Sequence, residues 1–202
     1  FLGRGQPIKE SDNAILERWT RQLLNNPRPE VVNTFIDEYL EKKLTEELYY
    51  KIVGEMLDSR QNHVIVYGLL CLAATPSERS FTYLVSFQQE NSRTQWINGE
   101  VDRHLESYTQ RYRVGLLNDI MRKSTNTDSI VKATKLLISS AQINLARQGR
   151  QTAQQLPDQN LAYTQNFNNS LKILALLGNQ GDSQVQDAAH SAYDALSKIL
   201  KT

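Results

Sequence analysis

Asp182-Ser-Gln-Val185-Gln-Asp-Ala-Ala189-His-Ser-Ala192-Tyr193-Asp-Ala-Leu196 sets an acidic residue before Val185, then places small or apolar residues four, seven, eight and eleven positions later. That spacing puts Val185, Ala189, Ala192, Tyr193 and Leu196 along one side of a 3.6-residue helix. Asp182 stands where an N-cap carboxylate accepts from the first unpaired backbone amides. The stretch therefore predicts a capped amphipathic helix over about residues 183–200.

Working outward, the same period recurs almost everywhere. Ser11 or Asp12 caps a helix with Ile15, Leu16, Trp19, Leu23 and Leu24 on its apolar face. Asn26-Pro-Arg-Pro29 breaks it, and Pro29 suits the first position of the next helix, which runs to about Lys43 and buries Val32, Phe35, Ile36, Tyr39 and Leu40. Thr45 caps a third, with Glu46 and Glu47 favourable to its dipole. Residues 64–74 are nearly all apolar, as expected of a helix buried on several sides. Past Thr75-Pro76, Phe81, Leu84, Val85 and Phe87 fall at helical spacing. The polar stretch 88–94 reads as a loop. A long helix is expected from about 95 to 108, continuing or kinking near Gly115 to reach Met121. Two further helices are expected over 130–146 and 161–177. No segment alternates with the two-residue period of a strand, and 9 Gly and 5 Pro in 202 residues disfavour a turn-rich β fold. The expected fold is all-α: a flexible N-terminal segment at 1–10, then a single domain over 11–202 with a mobile loop at 148–160.

Composition narrows the function classes. Twenty-three Lys and Arg against 22 Asp and Glu leave a net charge of +1, which argues against a dedicated polyanion binder. One cysteine, Cys71, permits neither an internal disulfide nor a cysteine-built zinc site. It lies in Gly68-Leu-Leu-Cys-Leu-Ala-Ala74, an apolar helix that raises rather than lowers a thiol pKa. His63, His104 and His190 show no helical ligand spacing, and no nucleophile elbow or phosphate-binding glycine loop is present. Neither a catalytic residue nor a metal or cofactor is expected. No apolar run approaches the ~20 residues of a membrane-spanning helix. The 17 Gln and 15 Asn supply hydrogen-bonding surface without charge. Phe1 in place of an initiator methionine, with the Gly-containing start, leans towards an extracytoplasmic domain trimmed of a signal or anchor; a single buried cysteine suits cytosol and periplasm alike.

The 182–196 stretch resembles the second helix of a HEAT repeat. The same offsets recur from Val64 (Gly68, Cys71, Leu72), from Ile130 (Thr134, Leu137, Ile138, Ala141) and from Val32 (Ile36, Tyr39, Leu40). HEAT second helices commonly carry Arg just after the valine, where Gln186 and Ile65 stand here. The resemblance implies helix pairs stacked as a short α-solenoid; an irregular helical bundle is the alternative.

The richest surface candidate is the segment from Trp96 to Arg113. Arg103, Arg111 and Arg113 alternate there with Trp96, His104, Tyr108 and Tyr112, and the last three fall at four-residue steps, hence on one helix stripe. Arginine beside aromatic faces suits an acidic peptide or a nucleic acid; the plain alternative is tyrosines in the core with the arginines reaching outward. Arg111 and Arg113 are expected to matter to partner capture and little to stability. Residues 30–58 hold eight acids against three bases, and residues 93–150 ten bases against five acids. The lead expectation is a non-enzymatic scaffold or adaptor that binds another protein or peptide on a concave helix surface. The second is nucleic-acid binding through the basic 93–150 region, and a third is a helical enzyme or small-ligand pocket around Trp96 and Tyr108.

Overall fold

The computed structural model describes residues 11–148, 157–180 and 182–201. Among them are ten α-helices and no strand. The expected flexible segment at 1–10 lies outside the described residues, as does the middle of the expected loop at 148–160. Gln148 closes one helix and Pro157 opens the next. The chain divides after Thr75 into two compact units.

The first unit holds α1 (Asp12–Asn25), α2 (Pro29–Leu40), α3 (Glu46–Leu57) and α4 (Asn62–Ala74). Its punctuation follows the sequence signals. Ser11 Oγ accepts from the Ala14 amide and Thr45 Oγ1 from the Leu48 amide, each at 3.3 Å. Pro29 is the first residue of α2. That helix ends at Leu40, where Lys42 turns left-handed with φ 60°. The Lys43 amide then reaches back to Glu38 O and the Lys42 amide to Tyr39 O, the paired bonds of a Schellman cap.

Helices pair in sequence, α1 with α2 and α3 with α4, and the pairs stack odd on odd and even on even, α1 on α3 and α2 on α4. Aromatic rings fill the space between. Phe35 stacks on Tyr49 at 4.9 Å, Tyr39 stacks on Tyr49 at 4.0 Å, and Trp19 tilts against Phe35 at 5.2 Å. The buried Trp19 indole keeps its N–H satisfied by donating to Glu38 Oε2 at 3.2 Å. Tyr49 also carries the polar join between α3 and α4: its hydroxyl donates to Cys71 O at 2.9 Å, and Thr75 Oγ1 donates to the same carbonyl at 3.0 Å. Glycine at 68 favours the close approach of α4 to α3, because a Cβ there would lie 3.1 Å from both Leu57 Cδ2 and Met56 Cβ, a tight contact.

The second unit holds α5 (Glu78–Glu90), α6 (Gln95–Glu106), two 3₁₀ turns, α7 (Val114–Lys123), α8 (Thr127–Gln148), α9 (Pro157–Leu177) and α10 (Ser183–Lys201). Helix α5 extends to Glu90, so the expected 88–94 loop shrinks to its last four residues. The pairing rule repeats here: α5 with α6, α7 with α8, α9 with α10. Odd helices again stack on odd, α5 on α7 and α7 on α9, while α10 stacks on α8. A buried polar join holds α7 to α9. Asn118 Nδ2 donates to Asn166 O at 3.0 Å, and Ser170 Oγ donates to Asn118 Oδ1 at 2.6 Å. As read from the sequence, Asp182 caps α10, accepting from the Val185 amide at 2.9 Å; it also accepts from Thr127 Oγ1 at 2.6 Å, at the start of α8.

Two substitutions test the first unit. Tyr49→Phe removes one net hydrogen bond and should cost about 1 kcal/mol. Gly68→Val must push α4 off α3 and should cost about 1–3 kcal/mol. Urea denaturation measures both, and a Gly68→Val protein as stable as wild type would contradict the close contact.

Candidate functional site

The stripe expected from His104, Tyr108 and Tyr112 does not form. Helix α6 stops at Glu106, and Ser107–Thr109 and Arg111–Arg113 follow as 3₁₀ turns separated by an extended Gln110 with φ −61° and ψ 140°. Hydroxyl side chains take up carbonyls where α6 stops. Ser107 Oγ donates to His104 O and Thr109 Oγ1 to Glu106 O, both at 2.7 Å, occupying carbonyls at the helix terminus. Asn144 Nδ2 on α8 then donates to Thr109 O at 3.2 Å and fixes the first turn from outside.

The break sends the two tyrosines in opposite directions. Tyr108 is fully buried, its ring edge-on to Phe81 at 5.0 Å. It is core and presents nothing to a ligand. Tyr112 is 75% exposed, with its hydroxyl donating to Gln110 Oε1. Arg113 joins them. Its Nη1 donates to Ser107 Oγ at 2.7 Å and to Ser107 O at 3.2 Å, and its guanidinium carbon lies 5.5 Å from the Tyr108 ring centre and 5.4 Å from that of Tyr112. Both distances are within cation–π reach. Arg113 is thus half-buried and bonded within the fold. Arg111 is also only half-exposed.

The remaining candidates lie elsewhere. Trp96 is 38% exposed in the first turn of α6, about 15 Å along the helix from the turn. Arg103 is exposed and paired with Glu100. His104 is half-buried, and burial, followed by the neighbouring Arg103 charge, lowers its pKa and keeps the imidazole neutral at pH 7; its Nε2 has no hydrogen-bond partner. The structure therefore brings Tyr108, Tyr112, Arg111 and Arg113 together and leaves Trp96 and Arg103 apart.

One polar cluster had no sequence signal, because its members are up to 44 residues apart. Lys132 Nζ on α8 donates to Asp102 on α6 at 2.9 Å and to Gln88 Oε1 on α5 at 3.3 Å, and Gln88 Nε2 donates to Asp102 at 2.8 Å. Burial raises the Asp102 pKa, but the Gln88 and Lys132 contacts outweigh it and hold the carboxyl below its ordinary value. The cluster ties three helices together. Cys71, at the other extreme, is wholly buried, and burial pushes its thiol up to about 12, so it is no nucleophile. Among the described residues no group of His, Cys, Asp and Glu could hold a metal ion, and no helix is long and apolar enough to cross a membrane.

No known protein family, curated protein or solved structure matches the chain.

Two predictions follow from this geometry. Arg113→Ala should cost about 1–2 kcal/mol through its lost Ser107 bonds and ring contacts, whereas Tyr112→Ala should stay within about 0.5 kcal/mol; equal losses on urea denaturation would contradict the assignment of roles. The second concerns acid. A carboxyl whose folded pKa lies below its unfolded one stabilises fully above the unfolded value, about 4, and the contribution disappears as pH falls through the folded pKa. Asp102→Asn should therefore lower the urea midpoint at pH 7 and narrow its gap from wild type at about pH 3. A gap independent of pH would leave Asp102 without a role in acid stability.

Proposed function

We propose that this chain is a non-enzymatic helical scaffold whose second unit holds another protein or peptide, with its helix pairs stacked in the manner of HEAT repeats. The pairing of consecutive helices within each unit, with α1 on α3, α2 on α4, α7 on α9 and α10 on α8, supports the repeat reading, since stacked helix pairs bury a continuous core between them. The observation that carries the binding reading is Tyr112: a large aromatic, three-quarters exposed, on a turn fixed by Arg113, Ser107 and Asn144. Tyrosine and arginine on a pre-ordered surface lose little side-chain entropy on docking, and such residues dominate binding energy at protein interfaces.

Protein is favoured over nucleic acid by the state of the basic side chains. Arg103, Arg122, Lys123 and Lys132 in the basic region are each paired with Glu100, Asp119 or Asp102. Phosphate-backbone binding needs a run of uncommitted cations. A protein ligand needs only one well-placed contact.

Selection from a random-peptide display library on the immobilised full chain tests the proposal. Peptides should be enriched that bind wild type, and Tyr112→Ala should weaken them about tenfold or more without changing the urea midpoint. Failure to enrich any peptide, or binding indifferent to Tyr112, would remove the support for this site.

A further inference from the structure

Arg113 spends only part of its hydrogen-bonding capacity within the fold. Guanidinium carries five N–H donors in a planar fork. The two bonds to Ser107 both leave from Nη1. Among the described residues Arg113 pairs with no Asp or Glu, unlike Arg103 and Arg122, which are held by Glu100 and Asp119. Its Nε and Nη2 edge is the side-on fork that receives a carboxylate through two parallel bonds. Ser107 on one edge and the Tyr108 and Tyr112 rings nearby fix where that fork stands, so it is ordered before any ligand arrives.

The immediate surroundings favour negative charge. Arg111 lies two residues away in the same turn. Helix α7 begins at Val114 directly after the turn, and no side chain caps it, so its positive end adds to the same field. A Cβ built at Gly115, in its first turn, would meet nothing within 4 Å, so the backbone there is open to approach. The exposed Tyr112 ring offers an apolar face next to the cationic fork.

From this geometry we infer that the ligand of the Arg111–Arg113 turn is an acidic segment of a partner protein, one of whose Asp or Glu carboxylates accepts from Arg113 Nε and Nη2 while a neighbouring apolar side chain lies on Tyr112. The inference rests on the peptide-binding reading above and names the chemistry of its partner. A single fork suits a carboxylate placed beside an apolar group, which a peptide supplies every few residues.

The test uses library-selected peptides, synthesised with a fluorescein label, and reads anisotropy with the full chain. The selected sequences should be rich in Asp and Glu with an interleaved apolar residue. Replacing the critical peptide Glu by Gln should weaken binding about tenfold or more; this arm leaves the protein unaltered, so it does not depend on a variant folding. Arg113→Lys should weaken binding as well, because an ammonium cannot form the fork, and circular dichroism and the urea midpoint report whether the turn survives. If selected peptides need Tyr112 but tolerate Glu→Gln, the acidic inference fails and the peptide-binding reading stands. Should no peptide be selected, both fail. If the chain instead binds duplex DNA, with steep salt dependence and loss in Arg113→Gln, the partner is a phosphate backbone and the inference is overturned.

Discussion

Burial of Tyr108 is the constraint on which the second unit turns. Its ring must reach Phe81 in the core, and an uninterrupted helix would carry Tyr112 to the same face one turn later. The chain resolves the conflict by ending α6 at Glu106 and passing through an extended Gln110, so that Tyr108 points inward while Tyr112 is left in solvent. Arg113 then closes the structure by bonding back to Ser107 and lying near both rings.

Most of the fold was legible because helix caps and periodicity are local. Ser11, Thr45, Pro29 and Asp182 act where the sequence placed them, since each needs only amides within three or four residues. Cys71 lies in the core for a similar reason, its apolar neighbours being visible along α4. The 104–108–112 stripe misled because the four-residue step holds only if the helix continues. Ser107 and Thr109 carried the contrary signal, as hydroxyls able to take up the last carbonyls, but it is a weak one wherever tertiary packing does not call on it.

Contacts across helices were not legible. Gln88, Asp102 and Lys132 meet because α5, α6 and α8 converge, and Asn118 meets Ser170 because α7 lies on α9. Neither cluster has a spacing that a linear reading can find. Their effects differ. Asp102 is exposed enough for water to screen its ion pair, whereas the Asn118–Ser170 join is buried and would leave unsatisfied polar groups if broken. Helix pairing was no more legible: that α1 lies on α3, α2 on α4 and α10 on α8 emerged only from the packing.

Residues 107–113 form a fixed turn that holds Tyr112 out, rather than a flexible break between helices. Backbone ¹⁵N relaxation on the full chain measures this directly. Order parameters for Tyr108, Tyr112 and Arg113 close to those of the flanking helices, about 0.85, are what the account predicts; values below about 0.6 across the turn would mean that neither Arg113 nor Tyr112 is held in place, and would contradict it.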